Sequence, residues 1–213
     1  MKTSPVTTDT ENVAKVLDFL DQIHPISLKA KKVLAKDCFP MKVDKKSFIL
    51  RPGANPQYFY FIIKGVIQGY IKENGKNITT WIMQEGEIAG AFRAVGTGKP
   101  TDEYIQALED CELVAIPIST TDYLYDHFPE TNVIARRLWE FKYRQAEERA
   151  YMVRIPNASK KYNHFNQVYP GLVNRISLKY IATFLGMTLE TLSRIRSQKP
   201  KKAIIPVGEL AKV

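Results

Sequence analysis

Five runs rich in β-branched and aromatic residues crowd the stretch between Pro40 and Pro117. They are YFYFIIK (58–64), VIQGYIK (66–72), NITTWIM (77–83), EYIQALE (103–109) and CELVAIP (111–117). Such side chains suit a pleated surface and lose rotamer freedom in a helix. Turn residues separate the runs: Arg51-Pro52-Gly53, Lys64-Gly65, Glu73-Asn74-Gly75-Lys76, Glu85-Gly86-Glu87 and Gly96-Thr97-Gly98. Asn74-Gly75 is the sharpest signal, because a two-residue type I′ hairpin needs positive φ at both central positions. Short strands at this spacing predict a β jelly-roll barrel, a layout that manages exposed strand edges.

The flanks are helical. From Glu11 to Cys38, Val13, Val16, Leu17, Leu20, Leu28, Val33 and Leu34 recur at helical spacing, with Pro25 dividing two short helices and Ser27 placed to cap the second. The Thr-rich first ten residues are expected to fray. From Thr131 to about Ile155, the residues Ile134, Leu138, Phe141, Gln145, Glu148, Met152 and Ile155 follow a strict 4-3-4-3 spacing. This is an a/d seam over three heptads with two polar interruptions. It reads as a dimerisation helix between two copies; a helix on its own barrel is the competing reading, with Val133, Trp139 and Tyr143 as a second stripe. Pro156 ends the helix, and Asn157 or Ser159 starts the next. The expected chain is α+β: residues 1–130 a jelly-roll sensor domain with N-terminal helices, 131–155 the dimerisation helix, 156–213 a helix-turn-helix module.

That last assignment rests on ISLKYIATFLGMTLETLSRIR, residues 176–196. Ser177 can cap a helix that buries Ile181, Ala182 and Leu185, and small Ala182 lets a second helix cross close above it. Gly186 can take the left-handed conformation that ends the first helix. Thr188 caps the second, whose Leu192 and Ile195 face the core while Leu189, Glu190, Thr191, Ser193, Arg194 and Arg196 face outward. Arg194 can bond guanine O6 and N7 bidentately, and Glu190 can accept from cytosine N4. A solvated i, i+4 pair of Glu190 and Arg194 is the plainer alternative.

Charge decides between them. The formal net charge is +9, but residues 1–155 hold 21 Lys/Arg and 20 Asp/Glu, whereas residues 156–213 hold 10 Lys/Arg and only Glu190 and Glu209. A near-neutral body joined to a small basic module points to a polyanion at the C-terminal end. The candidate DNA-contacting set is Ser177, Lys179, Thr188, Leu189, Glu190, Thr191, Arg194 and Arg196.

The order of parts, the barrel texture of LRPGANPQYFYFIIKGVIQGYIKENGKNITTWIMQEGEIAG and the ungapped helix-turn-helix together resemble the Crp–Fnr family of bacterial transcription regulators over nearly the full length. In that family, the positions of Thr188, Glu190, Thr191 and Arg194 contact DNA. The resemblance implies double-stranded DNA, a second copy of the chain and, for an activator, RNA polymerase as partners, with no membrane involved.

Three departures qualify it. Gly86 and Gly90 match the turn glycines of the nucleotide-binding members, but Ala91 stands where the ribose-binding Glu belongs. The phosphate-gripping Arg-Ser pair falls on Thr101 and Asp102, and a carboxylate there would repel a phosphate. The tentative effector pocket is therefore Gly86, Glu87, Gly90, Ala91, Arg93, Thr101 and Asp102, with Arg93 as a substitute cation; cyclic-AMP binding of the usual kind is not expected, and no cofactor is assigned. Only Cys38 and Cys111 are present, too few for the family's iron–sulfur cluster, and His24, His127 and His164 are too scattered to support haem. Leu189 replaces a usual polar recognition side chain, and Pro200 shortens the second helix, leaving at most a reduced wing.

Other classes fit less well. A small-ligand or cyclic-nucleotide module with a degenerate DNA-binding end is the alternative, and would bind DNA weakly without sequence preference. A metal-dependent barrel enzyme needs two or three inward His with a carboxylate, yet no His lies between Pro40 and Pro117. No P-loop or GxSxG is present, so no catalytic residue or metal ligand is assigned. The polar N-terminus and two cysteines suggest a reducing cytoplasm.

Overall fold

The computed structural model describes residues 5–198. Two helices, α1 (Pro5–Ile23) and α2 (Leu28–Asp37), precede eight strands. These are β1 (Phe39–Val43), β2 (Phe48–Leu50), β3 (Tyr58–Lys64), β4 (Ile67–Glu73), β5 (Lys76–Met83), β6 (Ile88–Ala89), β7 (Tyr104–Ala107) and β8 (Cys111–Pro117). Helices α3 (Ile118–His127), α4 (Pro129–Arg154), α5 (Ala158–Val168), α6 (Leu172–Arg175), α7 (Leu178–Phe184) and α8 (Leu189–Ser197) follow. The N-terminal helix already begins at Pro5, inside the stretch expected to fray. Ser27 caps α2 as expected, its Oγ accepting from the Ala30 N–H at 3.3 Å.

The strands form two four-stranded antiparallel sheets, ordered β1-β8-β3-β6 and β2-β7-β4-β5. Asn74 and Gly75 have φ of 50° and 74°, so the β4–β5 hairpin turns as its sequence predicts, with Glu73 opposite Lys76. Inward side chains of the sheets, including Ile62, Ile67, Ile105 and Leu113, fill the barrel. A second core lies between β3, β8, the N-terminal helices, α3 and the start of α4, and contains Val16, Leu34, Phe59, Val114 and Ile134.

The C-terminal helices do not hang free. Their core of Met152, Phe165, Leu172, Ile181, Leu185 and Leu192 is continuous with Val66, Ile82 and Leu108 of the barrel. The hydroxyls of Thr79 on β5 and Thr183 on α7 lie 2.8 Å apart, in hydrogen-bond contact. Arg175, at the end of α6, grips Glu85 through two bonds of 2.7 and 2.8 Å and reaches Glu109 at 2.6 Å. Among the described residues, no helix is long and apolar enough to cross a membrane.

Candidate functional site

The helix pair α7–α8 is built as its sequence suggests. Ala182 is buried, and Leu185 closes α7. Gly186 follows at φ +62°, and the N–H of Met187 returns to the Ala182 carbonyl at 2.9 Å, the bond that closes a Schellman turn. The ammonium of buried Lys161 donates to the Leu185 carbonyl at 3.0 Å, so a side chain from α5 also satisfies the end of α7. Thr188 Oγ accepts from the Thr191 N–H at 3.2 Å and caps α8. Leu192 and Ile195 are buried, while Glu190, Ser193, Arg194 and Arg196 are exposed, Leu189 is 44% exposed and Thr191 is half-buried. The Glu190 carboxyl is held below its usual value by its own backbone N–H and by the Thr188 hydroxyl, not by Arg194. Ser177 stands at the N-cap of α7 but makes no side-chain cap bond, so its capping role is not realised. Lys179 is exposed beside the Tyr180 ring. The wing and Pro200 lie outside the described residues.

The residues expected to line an effector pocket do not converge on one cavity. Gly86 has φ +78° with open space around its α-carbon, which is a turn role. At Gly90 a Cβ would come within 3.0 Å of the Phe59 ring, so its smallness serves packing against that ring. Ala91 is buried, and its carbonyl accepts from Ala94 and Val95. Thr101 is also buried, its backbone bonded to Gly53 and Ala54. Arg93 donates to Asp102 at 2.9 Å on the surface, so each neutralises the other. Glu87 faces the long helix and accepts from Gln145 at 2.5 Å.

A cleft of about 570 Å³ instead opens between the barrel and α4. It takes Arg93 from the expected set and adds Trp139 and Tyr143, read in the sequence only as a helix stripe, and Trp81, Glu103, Lys142 and Arg149, which the sequence did not single out. Trp81 fits because its neighbour strand carries Gly69: a Cβ there would sit 2.1 Å from the indole. Burial raises the Glu103 carboxyl above its usual value, and the Thr80 hydroxyl donates to it at 3.0 Å. Burial also pushes the thiols of Cys38 and Cys111 up to about 12 and about 11, away from the thiolate form a metal would need.

A profile of the cyclic nucleotide-binding domain matches residues 40–127, the span of the two sheets and α3. Regulatory protein HlyX of Actinobacillus pleuropneumoniae is 28% identical over 177 residues, covering 78% of this chain and 73% of HlyX. The fumarate nitrate reduction regulatory protein of Klebsiella oxytoca is 25% identical over 177 residues, covering 78% of this chain and 70% of its own. A Crp–Fnr transcriptional regulator from Eubacterium rectale shares the fold at a TM-score of 0.67 and 14% identity, over 84% of this chain and 85% of the other. Residues 40–127 thus match the cyclic nucleotide-binding domain, and over most of its length the chain is similar to these regulators. FixK2 of Bradyrhizobium japonicum has the same fold at a TM-score of 0.62 and 19% identity, over 76% of this chain and 83% of its own.

The expected dimer seam lies largely on the inner face of α4. Ile134 and Met152 are buried in their own chain, and Leu138 packs on the core beneath α1 and β3. Gln145 bonds Glu87, and Glu148 bonds His164. Ile155 is half-buried, and only Phe141 is exposed. The other stripe is the outward one: Trp139, Tyr143, Ala146 and Val153 are exposed, with half-buried Ala150 between them, again at 4-3-4-3 spacing. Two apolar stripes share one helix, and the barrel takes the one whose residues interlock with it.

Proposed function

We propose that the chain is a cytoplasmic transcription regulator that binds a pseudo-palindromic site in double-stranded DNA as a homodimer. The observation that carries this reading is α8: capped at Thr188, anchored through Leu192 and Ile195, and bare along Leu189, Glu190, Arg194 and Arg196. The positive end of its helix dipole suits a phosphate. Arg194 would read guanine, Glu190 cytosine and Leu189 a thymine methyl, with Ser177, Lys179, Thr191 and Arg196 holding the flanks. Arg194→Ala is expected to cost about 1–3 kcal/mol of operator affinity and to relax base preference at one position of each half-site. Quantitative binding to a footprinted site checks this, and unchanged affinity would remove Arg194 from the specific contacts.

The second copy would pair along Trp139, Tyr143, Ala146, Ala150 and Val153, setting the two α8 helices about one DNA turn apart. Tyr143 is 67% exposed, so a charge there is tolerated in the single chain but not in a seam. Tyr143→Glu should keep the circular dichroism spectrum and halve the mass measured by light scattering. An unaltered mass would place the interface elsewhere. An effector would act through α4, which runs from the barrel to the DNA module. RNA polymerase would be the further partner if the protein activates. A cyclic phosphate lacks its usual grip here, since Arg93 is engaged by Asp102.

A further inference from the structure

Beneath α4, on the side away from the DNA module, an apolar cavity of about 90 Å³ is walled by Leu20, Ile26, Phe59, Ile116, Leu124 and Ile134. Three residues, Phe92, Trp139 and Lys142, line both this cavity and the cleft between the barrel and α4. Lys142 therefore stands where an apolar space meets a polar one.

Its ammonium is poorly served. Its hydrogen-bond partners are the Met83 sulfur at 3.6 Å and Gln145 Oε1 at 3.2 Å. Among the described residues, no carboxylate is within ion-pair distance of it. Glu87 is nearby in charge but already committed, one oxygen to Gln145 at 2.5 Å and the other to the Gln84 N–H at 2.9 Å. The Phe92 and Phe141 rings, at 5.8 and 6.0 Å, offer only weak attraction at the edge of cation–π range. Burial lowers the Lys142 ammonium to about 8. A desolvated cation with no carboxylate in direct contact, and only the more distant charge of Glu87 to offset it, is costly, and an incoming anion relieves that cost.

We propose that this cavity holds the alkyl chain of a short monocarboxylate whose carboxylate pairs with Lys142. A small, almost wholly apolar cavity of this kind accepts a short alkyl chain. One cation calls for one negative charge. The ligand would touch α4 directly, on the helix that joins the barrel to the DNA module. The inference needs only the fold, so its test contains no DNA and its failure would leave the DNA-binding reading standing.

The full chain is titrated with acetate, butanoate, hexanoate and hexanamide by calorimetry, with the fluorescence of Trp81 and Trp139 as a second signal. Hexanoate should bind at least tenfold tighter than acetate or hexanamide, gaining about fourfold per buried methylene. Lys142→Met keeps the apolar stem and should erase the preference for hexanoate over hexanamide while leaving hexanamide binding in place. Ala135→Leu, which fills the cavity from α4, should remove hexanoate binding with Lys142 intact. Absent binding of every probe, equal affinity for acetate and hexanoate, or full hexanoate affinity in Lys142→Met would each overturn the proposal.

Discussion

Phe165→Ala is expected to cost about 3–5 kcal/mol, the largest loss of any single change considered. Phe165 on α5 is fully buried, with the rings of Tyr169 and Phe184 at 5.1 and 5.8 Å. Total stability of domains is about 5–15 kcal/mol, so one truncation would remove a large share of it. The core around Phe165 includes Leu192 and Ile195, which anchor the DNA-reading helix, and also Val66, Ile82 and Leu108 of the barrel. Because that core crosses from one module to the other, the loss should appear as one earlier transition. Helical circular dichroism and the fluorescence of Trp81 and Trp139, both in the barrel cleft, should shift together in a urea titration. Phe165→Leu, which keeps most of the volume, should cost far less. A variant whose helical signal melts early while tryptophan fluorescence holds would mean that the modules unfold independently.

Such a shared core was not legible in the sequence, although both contributing modules were. The reason lies in which residues carry a periodic signal. The sheet orders place β3, β8, β4 and β7 inside and β1, β6, β2 and β5 at the edges. All four inner strands, and β5, read directly from their β-branched and aromatic runs. The edge strands β1, β2 and β6 are five, three and two residues long, too short for alternation to stand out. Pro40 lies within β1, and an edge tolerates it because a missing N–H on one side costs nothing. The helix pair was legible because Ala182, Gly186 and Thr188 each meet a local backbone need.

The site around α4 was half legible for a different reason. Its helical period marks two apolar stripes equally well, and only the barrel decides which one is inside. Lys142 shows the limit. It lies four residues after Leu138 and three before Gln145, squarely on the inner stripe, but a lysine on a helix reads as solvated. The cleft residues Trp81, Glu103 and Arg149 come from β5, the loop before β7 and α4, far apart in the chain, and no spacing links them. The tentative effector-pocket set does not converge on one cavity, for the opposite reason. Gly86, Gly90 and Thr101 sit at the right places in sequence but serve a turn, a ring contact and a backbone pair.

Gly65→Ala is expected to cost about 2–5 kcal/mol and to loosen the DNA module from the barrel. Gly65 follows β3 at φ +103°, a conformation whose left-handed strain alone costs an L-residue about 1–2 kcal/mol. A Cβ there would also come within 2.5 Å of Cys111 Sγ and 3.0 Å of the Asp110 carbonyl, and overpacking of that kind adds about 1–3 kcal/mol. The Gly65 N–H donates to Glu85 Oε1 at 2.7 Å, and the same carboxylate receives Arg175 from α6. The turn therefore aims the carboxylate that holds α6. Arg175 first, and then the Gly65 N–H, keep the Glu85 carboxyl down at about 2. Its folded value lies below the unfolded one of about 4.3, so its contribution is present above that pH and is lost as pH falls toward 2. Glu85 and Arg175 are partly exposed, and solvent screening keeps the pair itself modest. In Gly65→Ala the backbone N–H remains but the strained turn moves it out of line with Glu85, so the carboxyl's value rises and the acid loss begins at a higher pH. Urea midpoints at pH 7 should fall, and acid titration of the variant should part from the parent between pH 4 and 2. A parent-like acid limb with a lowered midpoint at pH 7 would confine the effect to turn strain and detach Gly65 from the hold on α6.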